Sequence, residues 1–113
     1  MTNARSKGQR GEREAAAKLN QIFGVDSYRR SQQFCGAAGD ADLTGGVAGI
    51  AWEVKFVEKL NIHNAMDKAH DDARNCDTPA VIHRRKLQPW LVTIRADDLI
   101  DFAEKVIEGN KRR

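Results

Sequence analysis

Ala41-Asp42-Leu43 and, ten residues beyond Asp42, Trp52-Glu53-Val54-Lys55 form the stretch on which both the fold and the chemistry turn. Residues 47–57 are rich in β-branched and aromatic side chains and follow the turn Thr44-Gly45-Gly46, a pattern that predicts a strand. Side chains alternate along a strand. Ile50, Trp52, Val54 and Phe56 therefore pack on one face, while Glu53 and Lys55 share the other, roughly 6 to 7 Å apart. A hairpin bent at the two glycines brings Asp42 back beside Glu53. Two carboxylates and an amine then meet where one divalent metal ion could be held.

The rest of the chain sets the frame. Its 113 residues, 41% of them hydrophobic, suit a single domain, 1–113, with a modest core. No apolar run approaches the ~20 residues that span a bilayer, and the N-terminus lacks the apolar stretch of a secretory signal, so a cytoplasmic protein with no membrane partner is expected. Cys35 and Cys76 are far apart and read as free thiols. Nineteen basic residues against sixteen acidic ones give a net charge of +3 and an isoelectric point near 9.1, which permits a polyanionic partner. The basic residues gather at Arg5, Lys7 and Arg10, at Arg29 and Arg30, at Arg84, Arg85 and Lys86, and at the C-terminus. Any one such cluster reads as solvated surface. Beside an acidic metal cluster, they suggest phosphate contacts.

In chain order, Ser6-Lys7-Gly8-Gln9 has capping-box spacing, and Ala15, Ala16, Leu19, Ile22 and Phe23 recur at helical period, predicting a helix over 7–23 closed by Gly24. Glu12 lies on the buried stripe and Glu14 on the solvent face. Residues 25–32 read as a strand with Arg29 and Arg30 on opposite faces, so one arginine faces the cleft. Residues 34–40 form a small-residue loop. A helix follows over 64–75, its thin stripe made by Ala65, Met66, Ala69 and Ala73, with Asp67, Lys68, Asp71 and Asp72 facing water. Strands at 80–84 and 90–95 make a hairpin with a basic tip. Asp97 or Asp98 caps a last helix bearing Leu99, Phe102, Ala103, Val106 and Ile107, and Gly109 closes it. Residues 1–5 and 110–113 read as flexible tails.

The order αβββαββα, an α/β (α+β) class with a central mixed sheet flanked by helices, resembles the restriction-endonuclease-like core of the PD-(D/E)XK nuclease superfamily. Within it the chain is similar to the archaeal-type Holliday junction resolvases, including relatives in phages. The likeness rests on Glu12-Arg13, Arg30-Ser31, Asp42-Leu43 and Glu53-Val54-Lys55, in that order along the chain. Ala41 departs from the proline that names the superfamily, and Asp40 competes with Asp42 as the first ligand.

The resemblance implies a Mg²⁺-dependent endonuclease, Mn²⁺ substituting, that resolves four-way or otherwise branched DNA as a homodimer. Asp42, Glu53 and the Val54 carbonyl offer hard oxygen donors. Glu12 completes the metal's shell, directly or through water, and Lys55 orients the nucleophile or offsets charge on the phosphorane. Arg30 grips the scissile phosphate and Arg13 a neighbouring one, with Lys7, Arg10, Arg29, Arg84 and Arg85 as further DNA contacts. A restriction, repair or homing type nuclease is the same-fold alternative, and a non-catalytic DNA-binding or assembly module the different-class one. His63, His70, Cys76 and His83 lack paired zinc-ligand spacing. Neither cysteine is placed beside a histidine and an orienting carboxylate. Trp52 and Trp90 read as core. Apolar surface for the dimer is sought on the 64–75 helix, the 87–94 segment and the final helix.

Overall fold

Ala15, Ala16, Leu19 and Phe23 recur at helical spacing and are all buried, so the first helix turns one continuous stripe to the core. In the computed structural model, which describes residues 4–31 (side chains from Gly8), 41–74 and 76–111, this helix, α1, runs Ala4–Phe23. It starts upstream of Ser6, which is therefore not its cap. Gly24 closes it at φ 66°, and the Val25 N–H reaches back to the Asn20 carbonyl at 3.0 Å, the bond of a Schellman motif. Lys7's side chain, Cys35, Asp40 and the 34–40 loop lie outside the described residues.

Asn20 sets the next element. Its side chain donates to the Tyr28 carbonyl at 3.1 Å and accepts the Tyr28 N–H at 2.9 Å, clamping the chain against α1. There β1 (Arg29–Arg30) pairs antiparallel with β2 (Leu43–Thr44). The expected hairpin between Asp42's arm and the Glu53 strand is thus corrected in part: Asp42 bonds that strand, but Leu43 and Thr44 pair with the arginines. Two competing bonds explain this. The Tyr28 hydroxyl accepts the Val47 N–H at 3.0 Å, and Asp42's carboxylate accepts the Val54 N–H that a neighbouring strand would have taken. With Gly45, Gly46 and Gly49 all at positive φ, the strand β3 begins only at Ile50 and ends at Phe56.

β3 runs parallel to β4 (Thr78–Arg84) in a register from Ile50↔Thr78 to Phe56↔Arg84, and β4 runs antiparallel to β5 (Leu91–Thr93). Among the described residues this is a mixed three-stranded sheet of order β3-β4-β5 beside the small β1-β2 pair. The alternation expected of β3 holds. Ile50, Trp52 and Val54 join Ala80 and Ile82 in a cluster with α1, Tyr28 and Leu43, on which Phe102 and Val106 also pack. On the opposite face Val81 meets Ala65, Met66 and Ala69.

Those three residues belong to α2 (Ile62–Asp72), the crossover between the parallel strands. It begins two residues earlier than expected because Asn61 caps it, accepting the Asn64 N–H at 3.0 Å. It ends at Asp72, before the expected boundary, where Ala73 turns extended. A 3₁₀ turn, Ala96–Asp98, leads into α3 (Leu99–Lys111). α3 passes straight through Gly109 and Asn110, so the C-terminal tail starts later than expected, and α1 likewise takes in Ala4 and Arg5. Gly109 serves a contact instead: a Cβ there would lie 2.6 Å from Val47 Cγ2. Among the described residues no helix is long and apolar enough to cross a membrane. Among the described residues the architecture is α+β, with three α-helices around a mixed sheet.

Candidate functional site

Asp42 is held at three points. Its N–H donates to the Trp52 carbonyl, its carbonyl accepts the Ser31 N–H, and its Oδ2 accepts the Val54 N–H, each at 2.9 Å. A strand residue turns its N–H and C=O to the same edge. Val54 therefore presents its carbonyl on Asp42's side of β3, away from β4. Glu53, 2% exposed, projects from the α2 face, with Lys55 Nζ 3.8 Å from its Oε1, as two residues of one strand face require.

α1 supplies Glu12, one turn before the buried Ala15 and Ala16. Its Oε1 accepts a bond from Arg30 Nε at 2.9 Å, both side chains being half-buried. Of the two arginines on β1, Arg30 is the one facing inward and Arg29 the exposed one. A cavity of about 480 Å³ is lined by Gly8, Gly11, Glu12, Asp42, Glu53, Val54, Lys55, Phe56, Val57 and Lys68. Gly11 lets α1 lie against β3 here, since a Cβ would meet Phe56 Cβ at 3.1 Å.

Lys68 faces water as expected, its side chain 51% exposed, yet its ammonium also reaches into the site. Its Nζ stands 3.2 Å from Glu53 Oε1 and 3.3 Å from Oε2, and 2.8 Å from Asp72 Oδ2. Its place beside Ala69 and one turn from Ala65, on the border of the stripe, was the available signal. Glu14, also read as solvent-facing, is half-buried, with Arg10 Nε 3.6 Å from its Oε1.

Charge follows burial. Desolvation and the neighbouring Asp42 push Glu53 up to about 7, against the pull of Lys68 and Lys55. Burial also raises Glu12, partly countered by its bond from Arg30. Lys68 is pulled down by burial, yet Asp72 and Glu53 outweigh this and its net shift is upward. Burial is the larger cause at both glutamates. Asp42 and Glu53, with the Val54 carbonyl, present oxygen donors of the kind hard cations prefer. Among the described residues no three His, Cys, Asp or Glu side chains converge on one point. Glu12 faces the cavity but is engaged by Arg30.

The remaining cations lie around this cavity and beyond it. Arg13 and Arg29 are exposed on α1 and β1, and Arg85 at the end of β4. Arg84 is half-buried, its guanidinium 5.5 Å from the Phe56 ring and 5.8 Å from Trp90. Arg10 lies over the same Phe56 ring, 6.0 Å from its centroid. Trp52 is core, as expected, and Trp90, half-buried, packs against the edge of that core, edge-on to Phe56 and under Arg84. No protein-family model matches the chain, and no curated protein and no solved structure matches it.

Proposed function

We propose that the chain is a metal-dependent endonuclease of the PD-(D/E)XK type, with a restriction-endonuclease-like core, acting on branched DNA. The observation that carries this is the convergence of Glu12, Asp42, Glu53 and Lys55 on one cavity from α1, the β2 approach and β3. Asp42, Glu53 and the Val54 carbonyl would hold Mg²⁺, or Mn²⁺ in its place. Such an ion would supply Lewis acidity to the site. Asp42's three hydrogen bonds keep its carboxylate in place without reorganisation at the moment of reaction. Lys55 orients the nucleophile and offsets negative charge developing on the phosphorane. Arg30, locked by Glu12, contacts the scissile phosphate with its remaining donors, for its fork presents five N–H groups and Glu12 uses the Nε one.

Phosphates further along the DNA fall to Arg13, Arg29, Arg10, Arg84, Arg85 and Lys7. Two symmetrical cuts across a four-way junction call for a two-fold dimer. Its apolar surface is on β5 and α3, where Leu91, Val92, Leu99, Ile100 and Ile107 are exposed, with Leu87 at the hairpin tip. The α2 stripe is no longer available for that role, being buried on Val81.

The test is cleavage of a labelled four-way junction beside a matched linear duplex, in Mg²⁺, Mn²⁺, Ca²⁺ and chelator. Cutting of the junction in Mg²⁺ or Mn²⁺ alone is expected, since calcium's larger, looser shell does not align the water. Robust cutting in chelator sinks the metal mechanism. Equal cutting of both substrates leaves a nuclease of the same fold without junction preference.

A further inference from the structure

Lys68 comes to the site from an element that carries none of the residues on which the nuclease reading rests. Its ammonium bridges both oxygens of Glu53, at 3.2 and 3.3 Å, while hydrogen-bonding Asp72 at 2.8 Å. Glu53's side chain is 3% exposed and that of Lys68 51%, so the charge spans the boundary between buried carboxylate and solvent. Lys55 stands further off, at 3.8 Å.

Two neighbouring buried carboxylates repel one another unless a cation lies between or beside them. Lys68 lies nearer to Glu53 than Lys55 does, and it covers the oxygens a metal ion would use. A lysine is a compact charge with three donors on a flexible stem. Lys68 can therefore leave Glu53 without losing its hold on Asp72, which lies one turn further along α2.

We propose that Lys68 is the site's built-in counter-cation: it neutralises Glu53 when no divalent ion is bound, competes with that ion, and withdraws onto Asp72 when the ion enters. This rests on the reading of Asp42 and Glu53 as metal ligands. Metal affinity is then set partly by α2, and Asp72 is the position that makes withdrawal inexpensive.

The experiment is calorimetric titration of the DNA-free protein with Mg²⁺ and with Mn²⁺, on wild type, Lys68→Met and Asp72→Asn, with melting temperatures measured in chelator. Lys68→Met should bind Mg²⁺ about tenfold or more tightly than wild type, the scale on which an adjacent charge shifts a carboxylate's affinity for a proton. It should also melt lower in chelator and gain more from added metal. Asp72→Asn should bind metal more weakly than wild type, because Lys68 then has Glu53 alone, and this arm decides the matter if Lys68→Met does not fold. A lysine serving only to stabilise the fold would give unchanged or weaker metal binding in Lys68→Met, and that result overturns the proposal while leaving the nuclease reading intact. If wild type and both variants bind neither ion, the metal site itself falls and the proposal with it. Binding in Lys68→Met but not in wild type supports it.

Discussion

Glu53 shows how one side chain can be costly to the fold and useful to the site. It titrates near 7 instead of the ordinary 4.5 because burial and Asp42 disfavour its charge. Between those values the folded chain binds the proton more tightly than the unfolded one, so Glu53's contribution to stability falls as pH rises, and the full cost stands above 7. Glu53→Gln should therefore melt a few degrees higher than wild type at pH 8 and nearly level with it at pH 4. A lower melting temperature at pH 8 would mean that its pairs with Lys68 and Lys55 outweigh the desolvation. The same variant and Asp42→Asn should lose cleavage while keeping DNA binding near normal or tighter, measured by gel shift, because neither change removes a phosphate contact. Lys55→Ala should stop cleavage without unfolding the domain, and a large fall in melting temperature there would favour a structural ion pair. Sequence reading reached this set because strand alternation places Glu53 and Lys55 on one face. It missed Lys68 because no local pattern says which part of α2 crosses that face.

At the scale of elements, the turn between β2 and β3 is held by backbone conformations that suit glycine. Gly46 sits at φ 64°, and a Cβ there would come within 2.0 Å of the Tyr28 ring. Gly46→Ala should cost about 2 to 4 kcal/mol in urea unfolding, combining a strained φ with overpacking. It should also weaken the bond from the Val47 N–H to the Tyr28 hydroxyl. Gly8 offers the contrast: a Cβ there meets nothing within 4 Å, so Gly8→Ala should stabilise α1 by roughly 0.5 to 1 kcal/mol. A stabilising Gly46→Ala would show that the turn adopts another conformation in solution. The glycines were legible as a bend, but the identity of β2's partner was not. Pairing depended on Asn20 clamping Tyr28 and on Asp42's side chain taking a main-chain donor, both contacts between distant residues.

For the whole molecule, the exposed apolar side chains of β5 and α3 and the scattered arginines make separable predictions. Ile100 is 67% exposed, so Ile100→Lys should leave the melting temperature of the isolated protomer nearly unchanged while converting a dimer to monomer in light scattering. Wild type that scatters as a monomer at micromolar concentration would remove the dimer. Phosphate contacts shared over two protomers should make DNA binding fall by roughly 10³ or more between 50 and 200 mM salt if six or more phosphates are neutralised. A shallow salt dependence would confine the contacts to the rim of the cavity.

The sequence by itself determined the order of helices and strands, the buried face of β3, the core-facing stripe of α1, and the place of Gly24 at a helix end. Each follows from a period of two or 3.6 residues or from the freedom of one glycine, and such signals are local. Tertiary structure decided what those elements meet. It divided the sheet into β3-β4-β5 and the separate β1-β2 pair, turned Arg30 onto Glu12, and set Trp90 at the edge of the core against Phe56 and Arg84. It also laid α2 across Glu53 so that Lys68 could reach it. These outcomes depend on the parallel register of β3 with β4 and on charges finding partners across the fold, where no spacing along the chain records the distance.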